Sequence, residues 1–135
     1  MTTQQKSEIS HLKVAFRAIE LGVILSKPSI ETRYDYIVDT NGKLERCQVK
    51  YASKRNKHSE GSVVVNLRTW SPGRKRERVY GADEVDALLV YVPQVDIVCK
   101  FPPAMFIGKT NFYLRYAAPK NGQTKGLILV ENYKW

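Results

Sequence analysis

The dipeptide Asn41-Gly42 restricts this chain more than any other feature. It lies inside "YDYIVDTNGKLERCQVK" (34–50), between two runs that alternate apolar and polar residues. A two-residue loop of Asn-Gly favours a type I′ hairpin, because both positions accept positive φ. Thr40 then faces Lys43, and every opposed pair has residue numbers that sum to 83. Asp35 is therefore opposite Gln48. Opposed residues in an antiparallel pair share a face, with Cβ atoms about 5 Å apart. Lys50, two residues on, shares that face. The register gathers an acid, an amide and an amine into one patch, unless a bulge shifts it by a residue. The opposite face carries Tyr34, Tyr36, Val38, Cys47 and Val49, which reads as core.

The rest of the chain supplies elements around this hairpin. In Ser7–Leu21, Ile9, Leu12, Phe16 and Ile19 recur at helical spacing, which predicts a helix burying that stripe. Ser7 is the expected N-cap and Gly22 the C′ residue. "VILSKP" is a first strand or an extended entry to one, residues 52–61 a polar loop and 62–70 a strand. Residues 71–81 form an exposed turn around Pro72-Gly73, and 82–90 a short helix. Residues 88–102 are a strand pair broken at Pro93-Gln94, and a second Asn-Gly turn falls at 121–122. The order α-β-β-β-β-α-β-β indicates an α/β (α+β-like) fold: a central mixed β-sheet with hairpins, flanked by helices. A length of 135 residues suits a single domain, 1–135. Cys47 and Cys99 lie in apolar strand contexts and are expected as buried, reduced thiols. The N-terminus is polar, and no apolar run approaches the roughly 20 residues that span a bilayer. These features are those of a cytoplasmic protein.

Charge is the second constraint. Of the net +9, positions 43–78 hold eleven Lys or Arg against three Asp or Glu, and the other 99 residues hold eleven against ten. Charge so concentrated suits a polyanion, with nucleic acid the first candidate. An anionic membrane is disfavoured, because the segment has no basic amphipathic helix. Lys54, Arg55 and Lys57 follow the Lys50 strand, Arg68 lies on the next, and Arg74, Lys75, Arg76 and Arg78 crowd the following turn. In a duplex groove the lysines would contact phosphates, and some of Arg74, Arg76 and Arg78 would read base edges. The alternative is a loop charged for solubility. His58 has no nearby acid to orient it, and Trp70, Tyr80 and Trp135 fit core or subunit packing better than base stacking.

The hairpin trio has a chemical use beside that basic segment. Phosphodiester hydrolysis needs a divalent cation held by oxygens and a positive group near the attacking water. Asp35 offers a carboxylate, Gln48 an amide oxygen and Val49 a backbone carbonyl, while Lys50 can orient water and stabilise phosphorane charge. The same residues also fit a solvated sheet face with a cross-strand salt bridge, an interaction worth little. Asp39 is a rival for Asp35, but its place beside the turn favours an Asx interaction.

The pattern "YD", 12 residues, "QVK" resembles the PD-(D/E)XK nuclease superfamily. The order of helix, "YDYIVDTNGKLERCQVKYAS", "ADEVDALLVYVP" and "LRYAAPKNGQ" is similar to the small group I intron homing endonucleases of that fold. The resemblance implies a metal-dependent, site-specific double-stranded DNA endonuclease using Mg²⁺, with Mn²⁺ able to substitute. It also implies a homo-oligomer, dimer or tetramer; "LLVYVP" and "FPPAMFIG" are candidate interfaces. By the same resemblance Glu8, on the first helix, adds an acid to the metal set of Asp35, Gln48 and Val49, with Lys50 catalytic. Glu8 equally suits a glutamate favouring the helix dipole. Tyr34 replaces the motif's Pro, and Gln48 replaces its second acid. Loss of that anionic oxygen should weaken a hard-cation site, so Glu8 becomes the compensating charge. A Holliday-junction resolvase shares the layout, and a non-catalytic basic nucleic-acid-binding module is the other alternative.

Overall fold

The computed structural model describes residues 1–52, 54–55, 60–68, 79–119, 121–122 and 125–135, with backbone alone at 54 and 55. Among these residues one α-helix, α1 (Thr3–Leu21), is followed by eight strands: β1 (Ile24–Ser26), β2 (Tyr36–Thr40), β3 (Lys43–Tyr51), β4 (Lys54–Arg55), β5 (Ser62–Asn66), β6 (Ala87–Val92), β7 (Ile97–Phe101) and β8 (Asn111–Arg115). Short 3₁₀ turns cover Pro103–Met105 and Val130–Asn132. A five-stranded mixed sheet has the order β1-β2-β3-β6-β7, and a three-stranded sheet the order β4-β5-β8. The α/β expectation is met, with one helix among the described residues and the smaller sheet as the second flanking layer. No helix among the described residues is long and apolar enough to cross a membrane.

The hairpin register is the expected one from Tyr36 to Thr40; the ladder ends at Tyr36–Cys47, and the expected Asp35–Gln48 pair lies just beyond it. Thr40 pairs Lys43, Asp39 pairs Leu44, and Tyr36 pairs Cys47. Asn41 and Gly42 both have positive φ, at 52° and 91°, as the turn requires. Asp39 accepts a 2.7 Å bond from the Gly42 N–H, the Asx interaction expected of it.

Strand β6 lies parallel to β3 and antiparallel to β7. All six of its residues are buried. Ala87, Leu89 and Tyr91 face α1 with Val14, Tyr36, Val38, Cys47 and Val49. Leu88, Val90 and Val92 face the smaller sheet with Val63, Val65, Phe112 and Leu114. Covered on both faces, such a strand shows no alternation in sequence, and a short apolar run then reads equally as helix. The helix expected over 82–90 is accordingly a turn followed by strand. Residues 88–92 of "LLVYVP" and the two phenylalanines of "FPPAMFIG" lie in the cores, while Pro102, Pro103 and Ala104 are exposed. Cys47 and Cys99 are buried free thiols, as expected, and burial pushes both pKa values up to about 12.

Helix α1 differs from expectation in both cap and face. Thr2 caps it in a capping box with Gln5, so Ser7 lies inside the helix, while Gly22 closes it at φ 71°. Ser10, Val14 and Ala18 are the residues buried. Leu12, Phe16 and Ile19 stay 69%, 65% and 79% exposed. Small side chains let the helix lie close on the sheet, and the Ser10 hydroxyl is satisfied by donating to the Lys6 carbonyl at 2.9 Å. The large apolar row faces outward. The loop expected over 52–61 contains β4, and the strand expected over 62–70 ends at Asn66.

Candidate active site

The site opens where β2 parts from β3. Asp35, just before β2, donates its N–H to the Cys47 carbonyl at 2.9 Å. Its carboxylate Oδ2 then accepts the Val49 N–H at 2.8 Å. The Asp35 side chain thus replaces the next backbone rung of the ladder, which fixes the carboxylate beside Gln48. Asp35, Gln48 and Lys50 are all half-buried on this stretch.

The Gln48 amide is held from the inner side. With its NH₂ turned inward it donates to Asp35 Oδ2 at 3.2 Å and to the Arg33 carbonyl at 2.7 Å. Turned the other way, its oxygen would face those two acceptors alone. Three oxygens so placed repel unless a cation lies among them. Neighbouring oxygens around an octahedral Mg²⁺ lie about 3 Å apart, so the spacing fits a small hard cation. No three His, Cys, Asp or Glu side chains among the described residues converge as a metal-binding group. A cation here would complete its shell with water, amide or backbone oxygen beside carboxylate.

Lys50 makes no ion pair with a described residue; its ammonium lies 5.4 Å from the centroid of the Tyr80 ring. Desolvation by burial holds its pKa below the ordinary lysine value, against the pull of Asp35 and with the help of the Arg33 charge. Arg33 covers the same ring at 4.6 Å and pairs Glu84 at 2.7 Å. Tyr80 is itself fully buried.

A cleft of about 300 Å³ opens beside this group, and Glu8, His11, Glu31, Tyr34, Asp35 and Tyr36 are among its lining. Helix α1 therefore brings Glu8 to the same opening as Asp35. Glu8 is exposed and sits in the second turn, past the position where the helix dipole acts most strongly. The Tyr36 hydroxyl contacts His11 Nδ1 at 2.9 Å. Its pKa is raised by burial first and then by the charges of Asp35 and Glu8, so both carboxylates act on one hydroxyl.

Of the expected DNA contacts, Lys57, Arg74, Lys75, Arg76 and Arg78 lie outside the described residues, as do His58 and Trp70. Lys54 and Arg55 form β4, whose backbone pairs Val64 and Val63 of β5. Arg68 is exposed just past β5. Arg33, Tyr80, His11 and Tyr36 were not among the expected site residues. Arg33 and Tyr80 are 47 positions apart, and no local pattern joins them; only the packing of the loop before β6 over the end of β3 does.

No curated protein matches the chain by sequence. Among solved structures, the bacterial homing endonuclease I-Ssp6803I superposes with a TM-score of 0.78 at 25% identity, over 99% of this chain and 89% of that one. The family model described as PD-(D/E)XK endonuclease matches residues 1–135. Matched along its whole length, the chain belongs to the PD-(D/E)XK endonuclease family.

Proposed function

We propose that the chain is a single-domain, intracellular, divalent-metal-dependent endonuclease of the intron-homing type, cutting double-stranded DNA at a specific site. The observation that carries this reading is the Asp35–Gln48–Lys50 group at the parting of β2 and β3, beside a cleft that Glu8 also lines. Asp35, the Gln48 amide oxygen and the Val49 carbonyl would hold Mg²⁺ or Mn²⁺, with Glu8 adding the charge that Gln48 lacks. When bound, the ion supplies Lewis-acid polarisation of a phosphoryl oxygen and of water. Lys50, drawn out of water onto the Tyr80 ring, orients the attacking water and faces the charge that develops on phosphorus. Its lowered pKa keeps an exchangeable proton close at hand. The basic residues 54–57, Arg68 and 74–78 would hold the duplex, mainly through phosphates.

Cleavage of a randomised duplex library with Mg²⁺ or Mn²⁺ tests the reading. Recovery of one enriched linear target supports it, and preferential cutting of branched junctions would indicate a resolvase instead. No cutting with either metal, while DNA still binds, would leave a binding module. The exposed row Leu12, Phe16 and Ile19 supports a homo-oligomer, since an apolar helix face of this kind is usually covered. Phe16→Ser with Ile19→Ser should then lower the sedimenting mass to that of one chain; an unchanged mass would remove this surface from consideration.

A further inference from the structure

Tyr36 and His11 meet at the cleft beside Asp35, and the proposed metal set uses neither. Tyr36 is buried, and its hydroxyl lies 2.9 Å from His11 Nδ1. The two rings meet edge-on, with centroids 5.4 Å apart. Burial first, then the charges of Asp35 and Glu8, raises the Tyr36 pKa, so the phenol keeps its proton. A buried O–H without an acceptor is destabilising. Among the described residues, His11 Nδ1 is the acceptor that this hydroxyl meets. The O–H therefore donates to Nδ1, which puts the hydrogen of a neutral imidazole on Nε2. Any acceptor would satisfy the phenol; an imidazole also carries a second nitrogen on the far side of its ring. That nitrogen makes no hydrogen bond with a described residue, and His11 lines the cleft one helical turn after Glu8.

We propose that His11 is a substrate-contacting residue: Tyr36 fixes its imidazole so that Nε2–H donates to a phosphate oxygen of the DNA strand in the cleft. This rests on the nuclease reading for its ligand, though not for its geometry. Glu8, Glu31 and Asp35 share that cleft with Lys27. Three carboxylates repel a phosphate until a cation lies among them, so the contact belongs to the metal-loaded complex. In the imidazolium both nitrogens carry hydrogen, so the cleft side of the ring donates in either charge state. A contact made equally before and during reaction lowers KM and leaves kcat alone.

The tautomer is read in the unchanged protein from long-range ¹H–¹⁵N correlations of the imidazole, at a pH where the ring is neutral. Hydrogen on Nε2 is expected; hydrogen on Nδ1 overturns the proposal. DNA affinity is measured by filter binding on a mixed-sequence duplex, with Ca²⁺ and with EDTA. His11→Ala should weaken binding about tenfold in Ca²⁺, the scale of one hydrogen bond to a charged group, and less than about twofold in EDTA. Equal loss in both conditions, or no loss in Ca²⁺, overturns the proposal. His11→Gln, whose amide NH₂ can stand where Nε2–H stood, should recover most of the affinity. Tyr36→Phe should weaken binding in Ca²⁺ by about threefold, and add nothing to His11→Ala. A merely structural tyrosine would leave the Ca²⁺ affinity of the folded protein unchanged. Duplex and Ca²⁺ added to the unchanged protein should shift the His11 Nε2–H signal. That shift decides the matter if a variant fails to fold, and its absence overturns the proposal. On a cleaved target His11→Ala should raise KM with kcat unchanged; a fall in kcat alone overturns the assignment. Cleavage by a protein whose binding ignores His11→Ala sinks this proposal and leaves the nuclease reading intact. Conversely, a protein that binds through His11 and cuts no DNA with Mg²⁺ or Mn²⁺ sinks the nuclease reading alone.

Discussion

The two ends of β3 carry the same kinds of residue and use them in opposite ways. At the turn end, Arg46 donates to Asp86 through Nε and Nη2, both at 3.0 Å, and its Nη1 reaches the Asp83 carbonyl at 2.6 Å. The Arg46 backbone N–H binds the same carboxylate at 2.8 Å. Acid and base meet fully, and the start of the parallel β3–β6 ladder is clamped. At the other end, Lys50 rests on an aromatic ring with no ion pair to a described residue, although Asp35 is close enough to influence its charge. Saturated partners make a joint, while charges held short of pairing remain available to a substrate.

The largest expected effect separates these ends directly. Asp35→Ala should reduce Mg²⁺-dependent cleavage by a factor on the order of 10³ or more, with DNA affinity kept or raised, since on the proposed reading the lost group would hold metal and not DNA. Lys50→Met should follow, at about 10²-fold in kcat. Arg46→Ala, at the joint, should lower thermal stability and leave kcat of the folded protein near its original value. A filter-binding and single-turnover series over the three variants checks this. Equal kcat losses from Arg46→Ala and Lys50→Met would erase the distinction.

Gln48→Glu sharpens the comparison at smaller scale. A carboxylate placed about 3 Å from Asp35 repels it when no cation is present. The variant should melt below the unchanged protein in EDTA, by an amount worth about 1–2 kcal/mol, and regain most of the difference in Mg²⁺. Equal melting in both conditions would mean that no cation visits these oxygens. Glu8→Gln belongs with this test: if Glu8 supplies the missing charge, its loss should weaken Mg²⁺ binding by about tenfold, and Gln48→Glu should restore it.

Much of the joint and part of the opening were legible in the sequence. Asn41-Gly42 specified the turn, the turn specified the register, and the register set Asp35 against Gln48 before any packing was known. The same logic failed for α1, because periodicity reports that a helix has an apolar stripe and not which face the sheet will accept. Close approach selected Ser10, Val14 and Ala18, so Leu12, Phe16 and Ile19 were left outside. It failed again at β6, whose burial on both faces removed the alternation that marks a strand. Tyr80 carried no local signal of its role. It follows the basic segment in sequence, and only tertiary packing lays it beneath Lys50 and Arg33.

The smallest expected effect lies at the joint and depends on pH. The hydrogen bond from Arg46 holds the Asp86 pKa below the ordinary aspartate value, against a modest opposing effect of burial. The unfolded chain has the ordinary value, about 3.9. A carboxylate whose folded pKa is depressed contributes stability above the unfolded pKa and loses it as pH falls through the folded one. The pair is more than a third exposed on its acidic side, so solvent screens it and its worth is about 1 kcal/mol or less. Asp86→Asn should therefore destabilise the protein slightly at pH 7 and converge with the unchanged protein as pH falls past the ordinary aspartate value and through the lower folded one. Urea melts from pH 7 down into the acid range would show that convergence. At the open end Gln48→Glu should instead respond to Mg²⁺ at constant pH. If Asp86→Asn also responded to Mg²⁺, cation binding would not be confined to the open end of β3.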